Sequence, residues 1–153
     1  LHPGHEYVPY AMYMLGLIAY EEIPIVERDQ TPAKESVEAF QKLMNRFPDT
    51  NYAKDARMKI DFIRDHLAAK ELEVARYYQH KEAHLAAINR LKGVVKEYEN
   101  SAQVPEALYR LVISYLALGL YDEAQASAAV LGHNYNNSTW YAEAYEAMQA
   151  VKR

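Results

Sequence analysis

The chain has 153 residues, with 17 Lys and Arg against 21 Asp and Glu, a formal net charge of −4 and no cysteine. That length suits one compact domain or a short repeat array; the net negative charge gives no electrostatic footprint for nucleic acid, and the lack of thiols excludes disulfides, a cysteine nucleophile and thiolate metal sites. Five Gly and six Pro are too few for a turn-rich sandwich, whereas 14 Tyr and abundant Ala suit packed helices.

Leu1-His2-Pro3-Gly4 reads as a loop entering a helix, and no basic region followed by an apolar core marks a signal peptide. The longest apolar run, Ala11 to Tyr20, contains Gly16 and is too short to span a bilayer. The chain is therefore expected to be a piece of a longer protein, with any targeting or lipid-anchor signal upstream.

A first helix is predicted from Glu6 to Glu21, where Val8, Met12, Leu15, Ile18 and Ala19 fall at helical spacing and Pro9 sits in the first turn. Residues 22–31, with Pro24 and mixed charge, read as a loop. Thr31-Pro32 reads as an N-cap followed by Pro at the first helical position, with Glu35 near enough to close a capping interaction. The second helix carries Val37, Phe40, Leu43, Met44 and Phe47 and ends at Pro48. Asp49-Thr50-Asn51 caps a third helix, Tyr52 to Gln79, about 42 Å long at the usual rise. Four more follow: Glu82 to Tyr98, Ala102 to Leu118, Tyr121 to Gly132 and Ser138 to Val151. No segment alternates as a strand does.

The turns repeat. Phe47-Pro48-Asp49-Thr50 precedes Asp55-Ala56, Tyr98-Glu99-Asn100-Ser101 precedes Glu106-Ala107, and Tyr135-Asn136-Asn137-Ser138 precedes Glu143-Ala144. Each time an aromatic residue closes one helix, Ser or Thr opens the next, and an acid-Ala pair lies in its first turns. Such self-similarity marks a helical solenoid, in which stacked pairs bury stripes that one pair alone cannot.

Within the units, Leu118-Gly119-Leu120-Tyr121-Asp122-Glu123-Ala124 resembles the inter-helix turn of the tetratricopeptide repeat. Gly119 supplies a conformation that bulkier residues resist, and Ala124 permits close helix approach. Leu108, Leu111 and Tyr115 match the packing positions of one repeat, and Val74, Ala75, Tyr78, Ala87 and Leu91 those of the preceding one. Leu15-Gly16, Ser36, Phe40 and Pro48 match the first. Glu99 and Asn136 replace the closing Pro of the repeat. The expected fold is all-α: one tetratricopeptide-repeat solenoid over 1–153. Its parts are a first pair over about 5–50 with an inserted loop at 22–31, a second over 51–99, a third over 100–134, and a capping helix over 138–152.

A narrower resemblance lies in Arg28-Asp29-Gln30, Ala39 to Leu43, Arg46 to Tyr52, Phe62 to Ala68, Val74 to Tyr78 and Ala87 to Arg90. In that order these motifs resemble the BamD family, outer-membrane lipoproteins of the β-barrel assembly machinery. The resemblance implies a whole protein of five repeats with a lipidated N-terminal Cys, of which this chain would be the last three repeats. It implies a non-catalytic scaffold on the periplasmic face of the outer membrane, docking on a POTRA domain of BamA. Other lipoproteins of the machinery and unfolded outer-membrane proteins are further implied partners. Nucleic acid is not, and membrane attachment would come only through the missing anchor.

The family match puts Arg90 at the BamA contact, where a planar guanidinium suits a carboxylate. Arg90 falls off the packing stripe Ala87, Leu91 and Val94; the competing reading is surface pairing with Glu97 or Glu82, worth little. Asn89, Arg64 and Asp65 are further candidates, with an Arg64–Asp65 surface network as the alternative. Tyr77 and the series Tyr7, Tyr10 and Tyr13 are candidates for exposed contacts, since Tyr joins apolar area to a polar tip. Tyr78, Tyr98, Tyr115 and Tyr121 read as structural.

The search for catalytic constellations yields one metal-like spacing, His80 and His84, without a third ligand and across a predicted turn. No phosphate-cradling loop or nucleophile elbow is present in the sequence. No cofactor or metal is expected. A generic adaptor taking a peptide in its concave groove is the alternative function, and an enzyme or metal protein built on the His pair is the third.

Overall fold

The computed structural model describes residues 6–23 and 29–152; half of the expected 22–31 loop, residues 24–28, and the expected entry loop at residues 1–4 lie outside them. All regular structure among the described residues is helical: α1 (Val8–Glu22), α2 (Thr31–Arg46), α3 (Asn51–His80), α4 (His84–Glu97), α5 (Val104–Ala117), α6 (Tyr121–Asn134) and α7 (Thr139–Val151). The all-α fold expected from the sequence is the one observed, and each helix ends within two residues of its expected bounds.

The repeated turns share one geometry. Phe47, Tyr98 and Tyr135 each close a helix with φ between −138 and −124° and ψ between 40 and 61°. Each donates its N–H to the carbonyl four residues back, at 2.8, 3.0 and 2.8 Å. Thr50, Ser101 and Ser138 then open the next segment, their hydroxyl oxygens accepting from Ala53, Gln103 and Trp140 N–H at 3.2, 3.1 and 3.1 Å. These bonds satisfy donors that a helix start leaves orphaned.

The other kind of turn, inside a pair, also recurs. The Ala83 N–H reaches the Tyr78 carbonyl and the Leu120 N–H the Tyr115 carbonyl, both at 2.8 Å. Each closure needs a left-handed residue, and these are Glu82 (φ 58°) and Gly119 (φ 74°). Gly takes this conformation without strain, whereas Glu does not.

The sequence expectation for α2 is corrected: Thr31 is the first helical residue, Gln30 stands at the cap without a side-chain bond, and the Asp29 carboxylate accepts from the Thr31 N–H at 2.9 Å. The cap lies one residue earlier than Thr31 because the Asp29 carboxylate supplies the bond through an Asx turn, which caps as well as a threonine. The Thr31 hydroxyl, and after it the Thr31 N–H, hold the Asp29 carboxyl below its ordinary range. In α1 the expected stripe is also revised. Val8, Pro9, Gly16 and Ala19 are buried, while Leu15 and Ile18 are exposed.

The chain divides into two compact units, Leu1–Arg64 and Asp65–Arg153, and the division falls inside α3. In the first unit α1 packs on α2 at a crossing made by small residues. The Ser36 hydroxyl donates to the Gly16 carbonyl at 2.9 Å, and a Cβ added to Gly16 would come 2.4 Å from the fully buried Phe40 ring. Tyr13 lies 5.8 Å from Phe40 and 5.4 Å from Tyr52, ring to ring. Its hydroxyl donates to Asp55, which also pairs with Lys59 at 2.9 Å. Tyr13 is therefore a structural anchor, while Tyr7 and Tyr10 are exposed.

In the second unit α4 packs on α5, and α5 on both α6 and α7. Ala68, Leu72, Ala75, Ala87, Leu91, Val94, Ala107, Val112, Ala124, Leu131 and Ala144 form a continuous core that solvent hardly reaches. Tyr78, Tyr98 and Tyr115 pack against it as expected. Tyr121 does not: it is more than half exposed, because the turn at Gly119 delivers it to the open side of α6.

Replacing Gly119 with Ala should destabilise the chain by about 1–2 kcal/mol, and Glu82→Gly should stabilise it by a few tenths to about 1 kcal/mol, in denaturant melts. Gly16→Ala should destabilise the first unit by about 1–3 kcal/mol, since the buried Phe40 ring has no free space to move into.

Candidate partner-binding surface

The second unit carries a polar network that links α3, α4 and α5. Glu106, almost wholly buried, accepts from Arg76 Nε and Nη2 at 2.8 and 2.6 Å and from Arg110 Nε at 2.8 Å. Arg110 Nη1 donates to Gln79 Oε1 at 2.9 Å, and Gln79 Nε2 donates to the Arg110 carbonyl and the Ser114 hydroxyl, both at 2.7 Å. His84 Nδ1 lies 3.1 Å from the same hydroxyl. Burial alone would raise the Glu106 pKa. The hydrogen bonds and charges of Arg76 and Arg110 outweigh it and hold the carboxyl below its ordinary value. A bidentate Arg fork on a buried carboxylate is strong and directional, so it fixes the register of α5 against α3.

The acid-Ala pairs seen in the sequence thus have two distinct jobs. Ala56, Ala107 and Ala144 are fully buried. The acids before two of them each pair with a cation one turn on, Asp55 with Lys59 and Glu106 with Arg110. Asp55 and Glu106 also each take a donor from an earlier helix, Tyr13 or Arg76.

Arg90 is exposed on α4, and its side chain retains 46% of its accessible surface. Its Nη1 meets the Glu71 carboxylate of α3 at 3.0 Å. The pairing partner is Glu71 and not Glu97 or Glu82, because α3 and α4 lie side by side through the Ala83 turn. Glu71 engages one of the three guanidinium nitrogens. Its hydrogen bond and charge raise the Arg90 pKa further, and Tyr78 adds to the effect. Tyr78 in turn meets the exposed Tyr77 ring edge-on at 5.8 Å, and Lys81 lies 5.9 Å over Tyr77. Tyr78 thus touches Tyr77 and interacts with Arg90, while Tyr77 itself points away from the core, near the α3–α4 turn. Asn89, also exposed, precedes Arg90 on α4.

Asp65 is engaged differently. Its carboxylate accepts from the Ser101 hydroxyl at 2.7 Å and the Ala102 N–H at 3.0 Å, so it braces the entry to α5. Arg64 is exposed and belongs to the first compact unit. His80 and His84 sit on either side of the turn, and among the described residues no three His, Asp or Glu side chains are grouped to hold a metal ion.

The sequence marks Glu106 only as one of the repeated acid-Ala pairs, and it assigns no role to Glu71 or Arg76. Glu106 and Arg110 carried a signal, an i,i+4 ion pair on an otherwise apolar helix. Arg76 and Glu71 carried none, since their partners lie on other helices.

The Glu106 network sets a pH dependence with a definite sign. A carboxyl whose folded pKa lies below its ordinary 4.5 contributes stability above that value and loses it as pH falls through the folded value. Glu106→Gln should cost about 1–3 kcal/mol at neutral pH. The gap to wild type should narrow from pH 5 downward in denaturant melts.

Comparison with known proteins assigns the chain. A family model described as YfiO, outer membrane lipoprotein, matches residues 1–131. The chain is 44% identical over 149 residues to the outer membrane protein assembly factor BamD of Rickettsia prowazekii, covering 97% of this chain and 59% of that protein. It is 40% identical over 148 residues to the protein of the same name from Caulobacter vibrioides, covering 97% of this chain and 48% of that one. A third such factor, from Neisseria meningitidis serogroup A, is 33% identical over 156 residues, covering 95% and 58%. The chain thus spans about half to three-fifths of the length of these curated relatives. With a helical repeat architecture and a match over most of its residues, the chain belongs to the YfiO family of outer membrane lipoproteins.

Proposed function

We propose that this chain is a non-catalytic scaffold that takes part in assembling β-barrel proteins into the bacterial outer membrane, by docking on a POTRA domain of BamA. In this reading it works on the periplasmic face. Its relatives are named as outer membrane protein assembly factors, and among the described residues no helix is long and apolar enough to cross a membrane. Other lipoproteins of the same machinery and unfolded outer-membrane proteins are its further proposed partners.

The observation that carries the docking reading is the posture of Arg90. Glu71 binds one terminal nitrogen from the α3 side, while nearly half the side chain faces solvent. A guanidinium held at one corner has lost part of its rotamer freedom before a partner arrives, which lowers the entropic cost of a bidentate contact. Asn89 beside Arg90 and Tyr77 near the α3–α4 turn add an exposed amide and an exposed aromatic ring, groups that suit a polar rim around a charged anchor. Asp65 and Arg64 are assigned lesser parts: Asp65 by shaping the α5 entry, Arg64 as an exposed cation of the first unit.

Calorimetric titration of the chain with the POTRA array of its cognate BamA tests this. Wild type should bind, and Arg90→Glu should weaken binding at least about tenfold by placing like charges opposite each other. Unchanged binding would release Arg90 from the interface. No binding by the folded chain would end the docking reading.

A further inference from the structure

The first unit holds a cleft of about 430 Å³ between the last turns of α2 and the first turns of α3. Met44 and Pro48 give it apolar surface, Gln41 and Asn45 line one side, and Lys54 and Arg57 the other. Lys54 and Arg57 are exposed, and among the described residues neither cation is matched with a carboxylate. Two acids of this unit are committed elsewhere, Glu38 to Lys42 and Asp55 to Lys59. Gln41 Nε2 donates to Asn45 Oδ1 at 3.1 Å. That bond leaves the Gln41 carbonyl oxygen as an acceptor and the Asn45 amide as a donor, the pair that one peptide unit complements.

The repeated turn allows an internal comparison. With Phe47 aligned on Tyr98, Arg57 stands where the second unit has Leu108 and Met44 where it has Val95. Leu108 is buried and Val95 packs on the core beside it. The same junction is thus filled by apolar side chains in one copy and left open, with a cation at its edge, in the other. Packing does not require Arg57 there.

We infer that this cleft is a binding site for an extended acidic segment of a partner protein. Its carboxylates would lie against Lys54 and Arg57, a backbone amide against the Gln41–Asn45 pair, and an apolar side chain against Met44 and Pro48. Charge decides the class of ligand. The chain as a whole carries −4 and repels acidic peptides at long range, so attraction can come only from a local pair of cations within a Debye length of about 10 Å. The inference stands on residues separate from the Arg90 face and does not depend on it.

Fluorescence anisotropy of the whole chain with a labelled peptide alternating Asp and Leu tests the proposal, with the Asn–Leu peptide as its neutral match. The acidic peptide should bind at least about tenfold more tightly than the neutral one, and more weakly as salt rises. The double variant Lys54→Glu, Arg57→Glu should lose that binding. Both positions are exposed, and a matching thermal melt establishes that the variant is folded. Lys92→Glu with Lys96→Glu, placed at the equivalents of Gln41 and Asn45 in the next copy of the turn, should leave affinity within about twofold. Equal binding of the two peptides, no binding by folded wild type, or an equal loss in the control variant would overturn the assignment.

Discussion

Small buried residues are the constraint on which helix packing in this chain depends, because they let backbones approach. Gly16 sits under the Phe40 ring with no space for even a methyl group. Ala56, Ala87, Ala107, Ala124 and Ala144 are all fully buried. Each residue of this set replaces what would otherwise be a bulky ridge, and the interaxial distance is set by the residue at the crossing. The larger apolar residues, Leu43, Ile63, Leu72, Leu91 and Leu131, then fill the volume around those crossings at no solvent exposure above the smallest few per cent. Close packing of this kind makes every position near a crossing sensitive to added volume.

Polar order is layered onto that packing. In each unit an acid in the first turns of a helix is claimed twice, by a cation one turn along and by a donor from an earlier helix. A buried carboxylate left with one partner would be costly, and one with two is directional. Asp55 is held by a tyrosine hydroxyl and Glu106 by an arginine fork, so the same geometric slot is met by different chemistry. The second solution extends through Gln79 and Ser114 to His84 and ties the start of α4 to the same lattice of bonds. That lattice ties the last turns of α3 and the first turn of α4 to α5.

Surfaces that bind partners differ from those that only meet water in how their polar groups are committed. The Asp65 carboxylate is spent on the α5 entry, whereas Arg90 and Tyr77 are held at one edge and open at the other. Lys54 and Arg57 go further, since no carboxylate meets them among the described residues. A gradient from committed to open cations therefore separates structural charge from charge available to a partner.

The order and bounds of the helices were legible in the sequence because the signals are local. An aromatic closing residue, a Ser or Thr three places on and a Gly at the tight turn each act through bonds to backbone only a few residues away. The three copies at Phe47, Tyr98 and Tyr135 reinforced one another. Local reading failed where two local solutions compete, as with Asp29 and Thr31, or where burial depends on a neighbour, as with Leu15, Ile18 and Tyr121. It also could not supply the partners of Arg90 and Glu106. Glu71 lies on the helix before Arg90 and Arg76 two helices before Glu106, and a pairing across helices exists only once a crossing angle and register are set. The sequence by itself determined the all-α repeat and the small residues at its crossings. Tertiary structure alone decided which charges are consumed inside the fold and which face outward, because that depends on distances between helices that no local spacing encodes.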